Sequence, residues 1–181
     1  MKKNNISSNN ITKNQMELKP HRIDFAKEFA KMKNIPEILD NGYDKTPNPF
    51  KEKDAIEFIK KEIVKEKQER FLIYWNNEVA GEIGITIQKD VFRLNAEIGY
   101  FISKKFWGKG LATLAVKKMT EYTFENFDVI RIVAGVFDFN KSSMKVLEKN
   151  GYYLESIRKN AVIKKEKIID DYIWVKLKEH N

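Results

Sequence analysis

A loop with two closely spaced glycines is the segment whose residue types and spacing are best suited to binding a ligand. Gly108 and Gly110 follow a run of strand-forming residues and precede a segment of helical apolar periodicity that begins at Leu111. Glycine allows the backbone to approach a ligand closely, and the first N–H groups of a helix have no partner within the helix. The helix dipole adds partial positive charge at the same place. The loop therefore predicts a binding site for a phosphate group.

Basic side chains around the glycines favour phosphate binding over a plain strand-to-helix turn. Lys104, Lys105 and Lys109 all belong to this loop, and their full positive charges attract an anion to it. Trp107 is compatible with two roles, a lid over the ligand or simple packing. We expect the phosphate ligand to be held by the loop and the first helical turn, that is by Lys105, Trp107, Gly108, Lys109, Gly110, Leu111, Ala112 and Thr113.

The length and composition of the chain narrow its class. A chain of 181 residues usually forms one domain, and we expect a single domain over residues 15–181 after a flexible polar tail at residues 1–14. There is no cysteine, which excludes disulfides, thiolate metal sites and a cysteine nucleophile, and fits the reducing cytoplasm. His21 and His180 are far apart in the sequence, so no metal site is expected.

Charge and hydropathy patterns indicate which partners to expect. The net charge is +8, but acidic and basic residues are interspersed without a long basic block, which favours a generally basic surface over a nucleic-acid face. The N-terminal segment lacks the apolar core of a signal peptide, and no apolar run is long enough to cross a bilayer. We therefore expect a cytoplasmic protein with neither a membrane partner nor a nucleic-acid partner.

Hydrophobic periodicity and turn residues predict an α+β domain with a mixed, mostly antiparallel sheet flanked by helices. Short polar turns join most of the strand-like runs, which predicts hairpins. The helix between residues 102 and 129 is instead a crossover, so the two strands that it connects should be parallel. The predicted strands are 15–19, 71–75, 78–88, 91–102, 129–137, 152–163 and 168–177, and the predicted helices are 24–33, 53–67, 111–126 and 141–150.

Capping residues and prolines predict where the helices begin and end. Asp24 and Asn140 are predicted N-caps, because a short polar side chain there accepts a hydrogen bond from the first turn of the helix. Gly151 is a predicted C-cap. Three prolines and a glycine within residues 36–49 predict a long loop.

Four short motifs follow one another between residues 96 and 152. They are the strand-like run 96–102, the loop Lys105-Phe106-Trp107-Gly108-Lys109-Gly110, the segment Asn140-Lys141-Ser142-Ser143, and Gly151-Tyr152. In this order they resemble the motifs of the GNAT superfamily of acyl-CoA-dependent N-acetyltransferases, and those of its RimJ/RimL-like branch most closely. That family has glutamine or arginine at the first position of the loop, where this chain has Lys105, and usually phenylalanine in place of Tyr152.

The resemblance implies a particular fold and ligand. It implies a GNAT-like sheet with a splayed central strand pair, and acetyl-CoA as co-substrate without a metal ion. The backbone of Tyr100, Phe101 and Ile102 would pair with the pantetheine arm, and Asn140 and Ser143 would also contact the coenzyme. The acceptor would be a primary amine on a protein N-terminus, a polyamine or an aminoglycoside-like molecule, and the protein would be a monomer or a homodimer.

The resemblance also assigns catalytic roles, with two departures from the family pattern. Many GNAT enzymes have a proton-donating tyrosine seven residues after the asparagine, where this chain has Leu147, and Ser143 matches the serine of RimL-like enzymes instead. The acidic base expected on the penultimate strand is replaced by Val162. Without the resemblance, a structural serine in the first helical turn is as good an interpretation of Ser143 as a catalytic serine. The candidates for the base are, in order, Glu97, which a surface ion pair would also explain, Glu82 and Asp138.

Two other functions stay open from the sequence. The run from Gly108 to Thr113 is a degraded dinucleotide-binding fingerprint, but its third glycine is missing and hairpins replace the repeated βαβ units of such an oxidoreductase. A non-catalytic acyl-CoA or nucleic-acid binding module is kept open by the missing tyrosine and the unassigned base. Turnover of acetyl-CoA with a panel of amines distinguishes the three functions.

Overall fold

Seven strands form one mixed sheet in the computed structural model, which describes residues 15–44 and 46–179. The predicted tail at residues 1–14 therefore lies outside the described residues. The strands are β1 Met16–Lys19, β2 Arg70–Trp75, β3 Glu78–Ile87, β4 Asn95–Ile102, β5 Arg131–Phe137, β6 Tyr153–Lys164 and β7 Lys167–Leu177. The helices in these ranges are α1 Ala26–Lys33, α2 Pro36–Asn41, α3 Glu52–Ile63, α4 Leu111–Asn126 and α5 Lys141–Lys149, and none is long and apolar enough to cross a membrane.

The strand order β1-β2-β3-β4-β5-β7-β6 contains one parallel pair of neighbours, β4 and β5. These two strands are parallel because α4 carries the chain back across the sheet between them, whereas the other neighbours are antiparallel. This confirms the predicted mixed, mostly antiparallel sheet. The β4–β5 pairing joins only Asn95, Ala96 and Glu97 to residues 131–133. Beyond that point the strands no longer pair, which confirms the splayed central pair.

Helices cover both faces of the sheet with separate apolar cores. On one face, α4 and α5 bury Met119 and Leu147 against strand residues such as Ile132. On the opposite face, α1 and α3 bury Phe29 and Ile59 around strand β2. Burying a side chain of this size contributes roughly 1.5–3 kcal/mol relative to leaving it exposed, so each helical layer is held to the sheet mainly by these contacts.

Side chains alternate between the two faces along β4. Tyr100 packs against the α4–α5 core, whereas Phe101 packs against the α1–α3 core. Glu97 is in phase with Phe101, so its side chain belongs to the α1–α3 face. The two predicted catalytic residues are therefore on opposite sides of the sheet, since Ser143 belongs to α5.

Two predictions near the N-terminus differ from the structure. Asp24 does not cap a helix, because it lies in a 3-10 turn, Ile23–Phe25, and its carboxylate pairs with Arg22 instead. Residues 36–49 are not all loop, because Pro36 begins α2. The fixed φ of proline suits the first position of a helix, where its missing N–H would have no partner anyway.

Further along the chain, both caps of α5 agree with the prediction, whereas the end of α3 and the start of β4 differ from it. Oδ1 of Asn140 accepts a hydrogen bond from the backbone N–H of Ser143 at 3.1 Å, which confirms the predicted N-cap. Gly151 follows α5 with a φ of +74°, as expected for a C-terminal cap. α3 ends at Ile63 rather than at 67. β4 begins at Asn95 rather than at 91, since Asp90–Phe92 forms a 3-10 turn.

Candidate active site

The glycine loop connects the end of β4 to the start of α4 in a conformation that favours glycine. Gly108 and Gly110 have φ values of +76° and +74°, in the left-handed region where a Cβ is strained. A Cβ built on either residue would have no heavy atom of the described chain within 4 Å beyond its immediate neighbours. Both glycines are thus required by the backbone conformation rather than by crowding, and the space beside them is open.

The N-terminus of α4 has donors available for an anion. Gly110 is the N-cap and supplies no side-chain hydrogen bond, so the amides of Leu111, Ala112 and Thr113 lack the usual cap. A phosphate oxygen is the acceptor that such amides prefer. This geometry fits the predicted pyrophosphate cradle.

The three lysines of the loop differ in their surroundings. Lys104 pairs with Glu37 at 3.1 Å, and Lys105 pairs with Glu78 at 2.6 Å. The Lys105 and Glu78 side chains are both 64% exposed, and such surface pairs contribute only about 0–1 kcal/mol, so Lys105 can exchange its partner for a phosphate. Lys109 is exposed and has no ion-pair partner within the described residues.

The other predicted coenzyme contacts on β4 lie at the splay. Tyr100, Phe101 and Ile102 follow the point where pairing with β5 ends, so their backbone groups on that edge have no strand partner. An extended ligand can pair there as an added strand would. The gap between β4 beyond Glu97 and β5 beyond Val133 is called the wedge below. The carbonyl of Ile102 already accepts a hydrogen bond from Nε1 of Trp107 at 2.7 Å, which holds the exposed indole ring near the end of β4.

Asn140 performs the cap function with its carbonyl oxygen. That oxygen accepts hydrogen bonds from the Ser143 N–H at 3.1 Å and from Oγ of Ser142 at 2.9 Å. The amide Nδ2 of Asn140 is its remaining side-chain donor. It is this nitrogen that can contact a coenzyme.

Ser143 lies next to the side chain of Tyr100. The two hydroxyl oxygens are 2.8 Å apart, and the Tyr100 hydroxyl is also 3.3 Å from the backbone carbonyl of Ser143. Burial raises the pKa of Tyr100 to about 12, although the hydrogen bond with Ser143 opposes the shift. Both hydroxyls therefore keep their protons at neutral pH. One of them donates to the other, and the remaining O–H can donate to a ligand. The sequence predicted only a backbone role for Tyr100.

The position where many family members have a proton-donating tyrosine is part of the core in this chain. Leu147 is fully buried between α4 and α5. The neighbouring aromatic residue Tyr152 is also buried, and its hydroxyl is 2.8 Å from Oγ1 of Thr120. Burial raises the pKa of Tyr152 above the usual value for a phenol. Neither residue offers a proton to the wedge.

Glu97 lies on the other side of the wedge and is paired with a tyrosine. The Tyr43 hydroxyl donates a hydrogen bond to Oε1 of Glu97 at 2.8 Å. Burial, followed by the nearby Glu97 carboxylate, raises the pKa of Tyr43, so this phenol remains a donor. Lys164 fixes the segment that carries Tyr43, because its Nζ donates to the carbonyl of Gly42 at 2.6 Å and pairs with Asp44 at 2.5 Å.

Glu82 and Asp138, the other two candidates for the base, lie away from the point where β4 and β5 diverge. Glu82 is buried beneath α1, with nitrogens of Lys33 at 3.6 Å, Arg70 at 3.7 Å and His21 at 3.9 Å from its carboxylate oxygens. Burial lowers the pKa of His21, which favours its neutral form. The Glu82 cluster belongs to β3, and β4 separates it from the splay.

Asp138 follows the last residue of β5 and is hydrogen-bonded to β7. Its Oδ2 lies 3.4 Å from the backbone N–H of Asp170, and its own N–H donates to the carbonyl of Asp170 at 3.1 Å. These bonds connect β5 to β7 at the outer end of the wedge. Among the three predicted carboxylates, Glu97 is the one on the central strand at the splay.

Two residues outside the prediction also face this side of the wedge. Tyr43 lies in a segment predicted as loop, and Asp171 lies on β7 with its carboxylate beside Gly135 and Arg158. An acidic residue was expected on the penultimate strand, at Val162, and Asp171 instead belongs to the last strand. Its apolar neighbours Ile169 and Ile173 in an alternating strand pattern are the signal that would have predicted an inward-facing aspartate.

The splayed sheet, the uncapped helix after the glycine loop and the position of α5 together form the arrangement expected of a GNAT-like acetyltransferase fold. The family model described as acetyltransferase (GNAT) domain matches residues 15–153. The chain therefore belongs to the GNAT acetyltransferase family.

Individual relatives agree with this family. "Probable N-acetyltransferase YjcK" of Bacillus subtilis is 48% identical over 69 residues, which span 38% of this chain and only 38% of that protein. "Uncharacterized N-acetyltransferase p20" of Bacillus licheniformis is 31% identical over 128 residues, which span 70% of this chain and 71% of that protein. The solved structure of RimL, a ribosomal L7/L12 α-N-protein acetyltransferase in complex with coenzyme A, has the same fold, with a TM-score of 0.77, 20% identity, and coverage of 90% of this chain and 93% of that one.

Proposed function

We propose that this protein transfers an acetyl group from acetyl-CoA to a primary amine by direct attack of the amine in a ternary complex. The observation that carries the proposal is the β4–β5 splay, which ends its pairing at Glu97 and Val133 and opens beside the uncapped N-terminus of α4. A structural neighbour of the same fold is in complex with coenzyme A, which supports the choice of ligand. Acetyl-CoA supplies a pyrophosphate, an amide-bearing arm and a thioester, and each has a matching feature here.

On the coenzyme side, the pyrophosphate is expected on the backbone N–H groups from Gly108 to Ala112, with Lys109 and Lys105 adding positive charge. The arm then runs along the free edge of β4 at residues 100–102. On the α5 side, Nδ2 of Asn140 is proposed as a donor to the arm. This orientation directs the thioester to the place where β4 and β5 diverge.

At the reacting centre, one side of the wedge supplies a hydrogen-bond donor and the other side supplies a proton acceptor. On the α4–α5 side, the Ser143 hydroxyl accepts a hydrogen bond from Tyr100 and donates its own proton in a hydrogen bond to the sulfur as negative charge develops on it. A phenol with a pKa of about 12 is a poor acid toward a thiolate whose conjugate thiol has a pKa near 8.5, so stabilisation of charge is the main contribution of this pair. On the opposite side, the Glu97 carboxylate accepts the proton that the amine must lose.

The choice among amines is governed by the cost of deprotonation. A peptide α-amine has a pKa of about 7.7–8.0, whereas a lysine-like or polyamine nitrogen near 10.4 costs roughly 3–4 kcal/mol to neutralise at pH 7.5. Glu97 as the one proposed base favours amines of lower pKa. Protein N-termini and aminoglycoside-like amines therefore precede polyamines as proposed acceptors.

Turnover of acetyl-CoA tests the function directly. Purified protein is incubated with acetyl-CoA and a panel containing an N-terminal peptide, a polyamine, an aminoglycoside and an amine-free control, and released thiol is measured. We expect release that depends on the amine, with the acetylated amine detected by mass spectrometry. Tight binding of coenzyme A without turnover on the panel would instead identify a binding module, and absence of both would reject the proposal.

Replacement of Glu97 tests the base. We expect Glu97→Gln to reduce kcat/KM by about 10-fold or more at low pH, where the amine is protonated, and by progressively less as the pH approaches the pKa of the amine. Glu121→Gln is the matched control, because Glu121 is an exposed residue of α4 whose contact with Lys117 is 4.0 Å long. A loss of equal size at every pH would assign Glu97 a positioning role, and no loss would remove it from the mechanism.

A further inference from the structure

We propose that Asp171 binds the ammonium group of the acceptor amine and is a specificity-determining residue of the acceptor pocket. This inference rests on the proposed acetyl transfer and adds to it a residue and a charge requirement. It is built from the burial of Asp171, its incomplete hydrogen bonding, and its position relative to Gly135, Tyr43 and Glu97.

Asp171 is a buried carboxylate with one oxygen unused. The residue is only 3% exposed. Its Oδ1 has no hydrogen-bond partner among the described residues. Leaving a buried polar atom unpaired costs roughly 1–3 kcal/mol, and more for a charged group. Such an atom in a folded protein needs an explanation, and a bound cation supplies one.

Arg158 is the hydrogen-bond partner of the other carboxylate oxygen of Asp171, Oδ2, and not of Oδ1. Nε of Arg158 donates to Oδ2 of Asp171 at 3.1 Å, and Nη2 donates to the same oxygen. The Arg158 side chain is 59% exposed, so water also solvates its charge. The guanidinium group therefore holds the carboxylate in place by Oδ2 and leaves Oδ1 directed elsewhere.

Gly135 keeps open the space to which Oδ1 is directed. Asp171 is paired with Phe137 in the β5–β7 ladder, close to the splayed end of β5. A Cβ added to Gly135 would lie 3.3 Å from Oδ1 of Asp171 and 3.6 Å from the Tyr43 hydroxyl. Any larger residue would fill this space. Glycine at this position is thus the reason that the carboxylate and the phenol can share one small opening.

The groups around this opening match a protonated primary amine. The Tyr43 hydroxyl donates a hydrogen bond to Glu97 and lies beside the opening. Oδ1 of Asp171 and the Glu97 carboxylate are the acceptors. An ammonium group has three donors and no acceptor, so it is the complementary ligand. In the proposed step, Asp171 holds the ammonium, one proton passes to Glu97, and the freed lone pair of the nitrogen attacks the thioester carbonyl. The C–S bond then breaks, and the departing thiolate takes the second proton from the nitrogen, which leaves the N-acetylated amine and coenzyme A as the free thiol.

Steady-state kinetics of Asp171→Asn test the inference, using the acceptor from the panel that the wild-type protein acetylates fastest. The substitution keeps the shape of the side chain and removes its charge. We expect KM for the amine to rise about 10-fold to 100-fold while kcat stays within about 3-fold, because binding common to ground state and transition state is lost. Affinity for coenzyme A, measured by calorimetry, should not change.

Two further variants separate ligand binding from a purely structural role. Asp170→Asn is the matched control on the next residue of β7, since Asp170 pairs with Lys159 rather than facing the pocket, and KM should remain at the wild-type value. Arg158→Gln breaks the ion pair but leaves Oδ1, so its effect on KM should be much smaller than that of Asp171→Asn. Equal effects of Arg158→Gln and Asp171→Asn would overturn the inference.

Gly135→Ala provides an independent test that does not alter the ion pair. The added methyl group occupies the proposed ammonium position, so we expect KM for the amine to rise at least about 10-fold with unchanged affinity for coenzyme A. Unchanged KM in this variant, or in a folded Asp171→Asn variant, rejects the role of Asp171 even if the enzyme is active. Absence of turnover by the wild-type protein rejects the proposed function, and this inference falls with it.

Discussion

Gly110→Asp should weaken the binding of coenzyme A by at least about 100-fold. Gly110 is the N-cap of α4 and has a φ of +74°. An aspartate there adds a negative charge at the start of the helix, and its carboxylate can accept hydrogen bonds from the amides of Ala112 or Thr113. The substitution thus blocks the donors and repels the pyrophosphate at the same time. Isothermal calorimetry with coenzyme A measures the loss.

Gly151→Asp is the matched control for this prediction. Gly151 has the same φ of +74° but lies at the end of α5, so aspartate suffers similar backbone strain, roughly 1–2 kcal/mol, away from the proposed site. We expect Gly151→Asp to lower thermal stability without changing the affinity for coenzyme A. If both variants bind coenzyme A as the wild-type protein does, the glycine loop is not the phosphate site.

Ser143→Ala should lower kcat by about 10-fold to 1000-fold while leaving the affinity for coenzyme A close to the wild-type value. The Ser143 hydroxyl is 2.8 Å from that of Tyr100, so it can accept a hydrogen bond from Tyr100 and donate its own proton to the sulfur. Its removal leaves the developing charge on sulfur without that hydrogen bond. A loss of the expected size corresponds to about 1.4–4 kcal/mol of transition-state stabilisation.

Ser142→Ala is the appropriate control, because Ser142 is the adjacent serine on α5 and its hydroxyl donates to Asn140 rather than to the wedge. Its kcat should remain within about 2-fold of the wild-type value. Tyr100→Phe should reproduce part of the Ser143→Ala defect, since it removes the partner hydroxyl and keeps the ring in the core. A kcat for Ser143→Ala within a factor of two of the wild-type value would assign thiolate stabilisation to other groups or to water.

The separate proposed roles of Glu97 and Ser143 follow from the geometry of a splayed sheet. In a continuous sheet, Glu97 and Ser143 would be separated by the backbone layer, because their side chains belong to opposite faces. The end of β4–β5 pairing after Glu97 removes that layer locally. A thioester lying in the gap can therefore meet hydrogen-bond donors from one face and the amine with its carboxylates from the other.

Features that depend on near neighbours in the chain were determined by the sequence alone. The start of α4 directly after the glycine loop, the capping of α5 by Asn140 and the crossover between β4 and β5 were all predicted correctly. Each follows from rules that act within a few residues, such as glycine conformation, side-chain capping and hydrophobic period. The order of these features was also enough to indicate the family.

Only the tertiary structure decided which side chains meet at the wedge. Tyr43 and Glu97 are 54 residues apart, and Tyr100 and Ser143 are 43 apart. Asp171 reaches the pocket because β7 lies next to β5 in the sheet. Such contacts depend on strand order, register and the position of the splay, which no local pattern encodes. The glycine loop at the start of α4 is a local feature and could be predicted, whereas the proposed acceptor pocket is assembled from distant segments and could not.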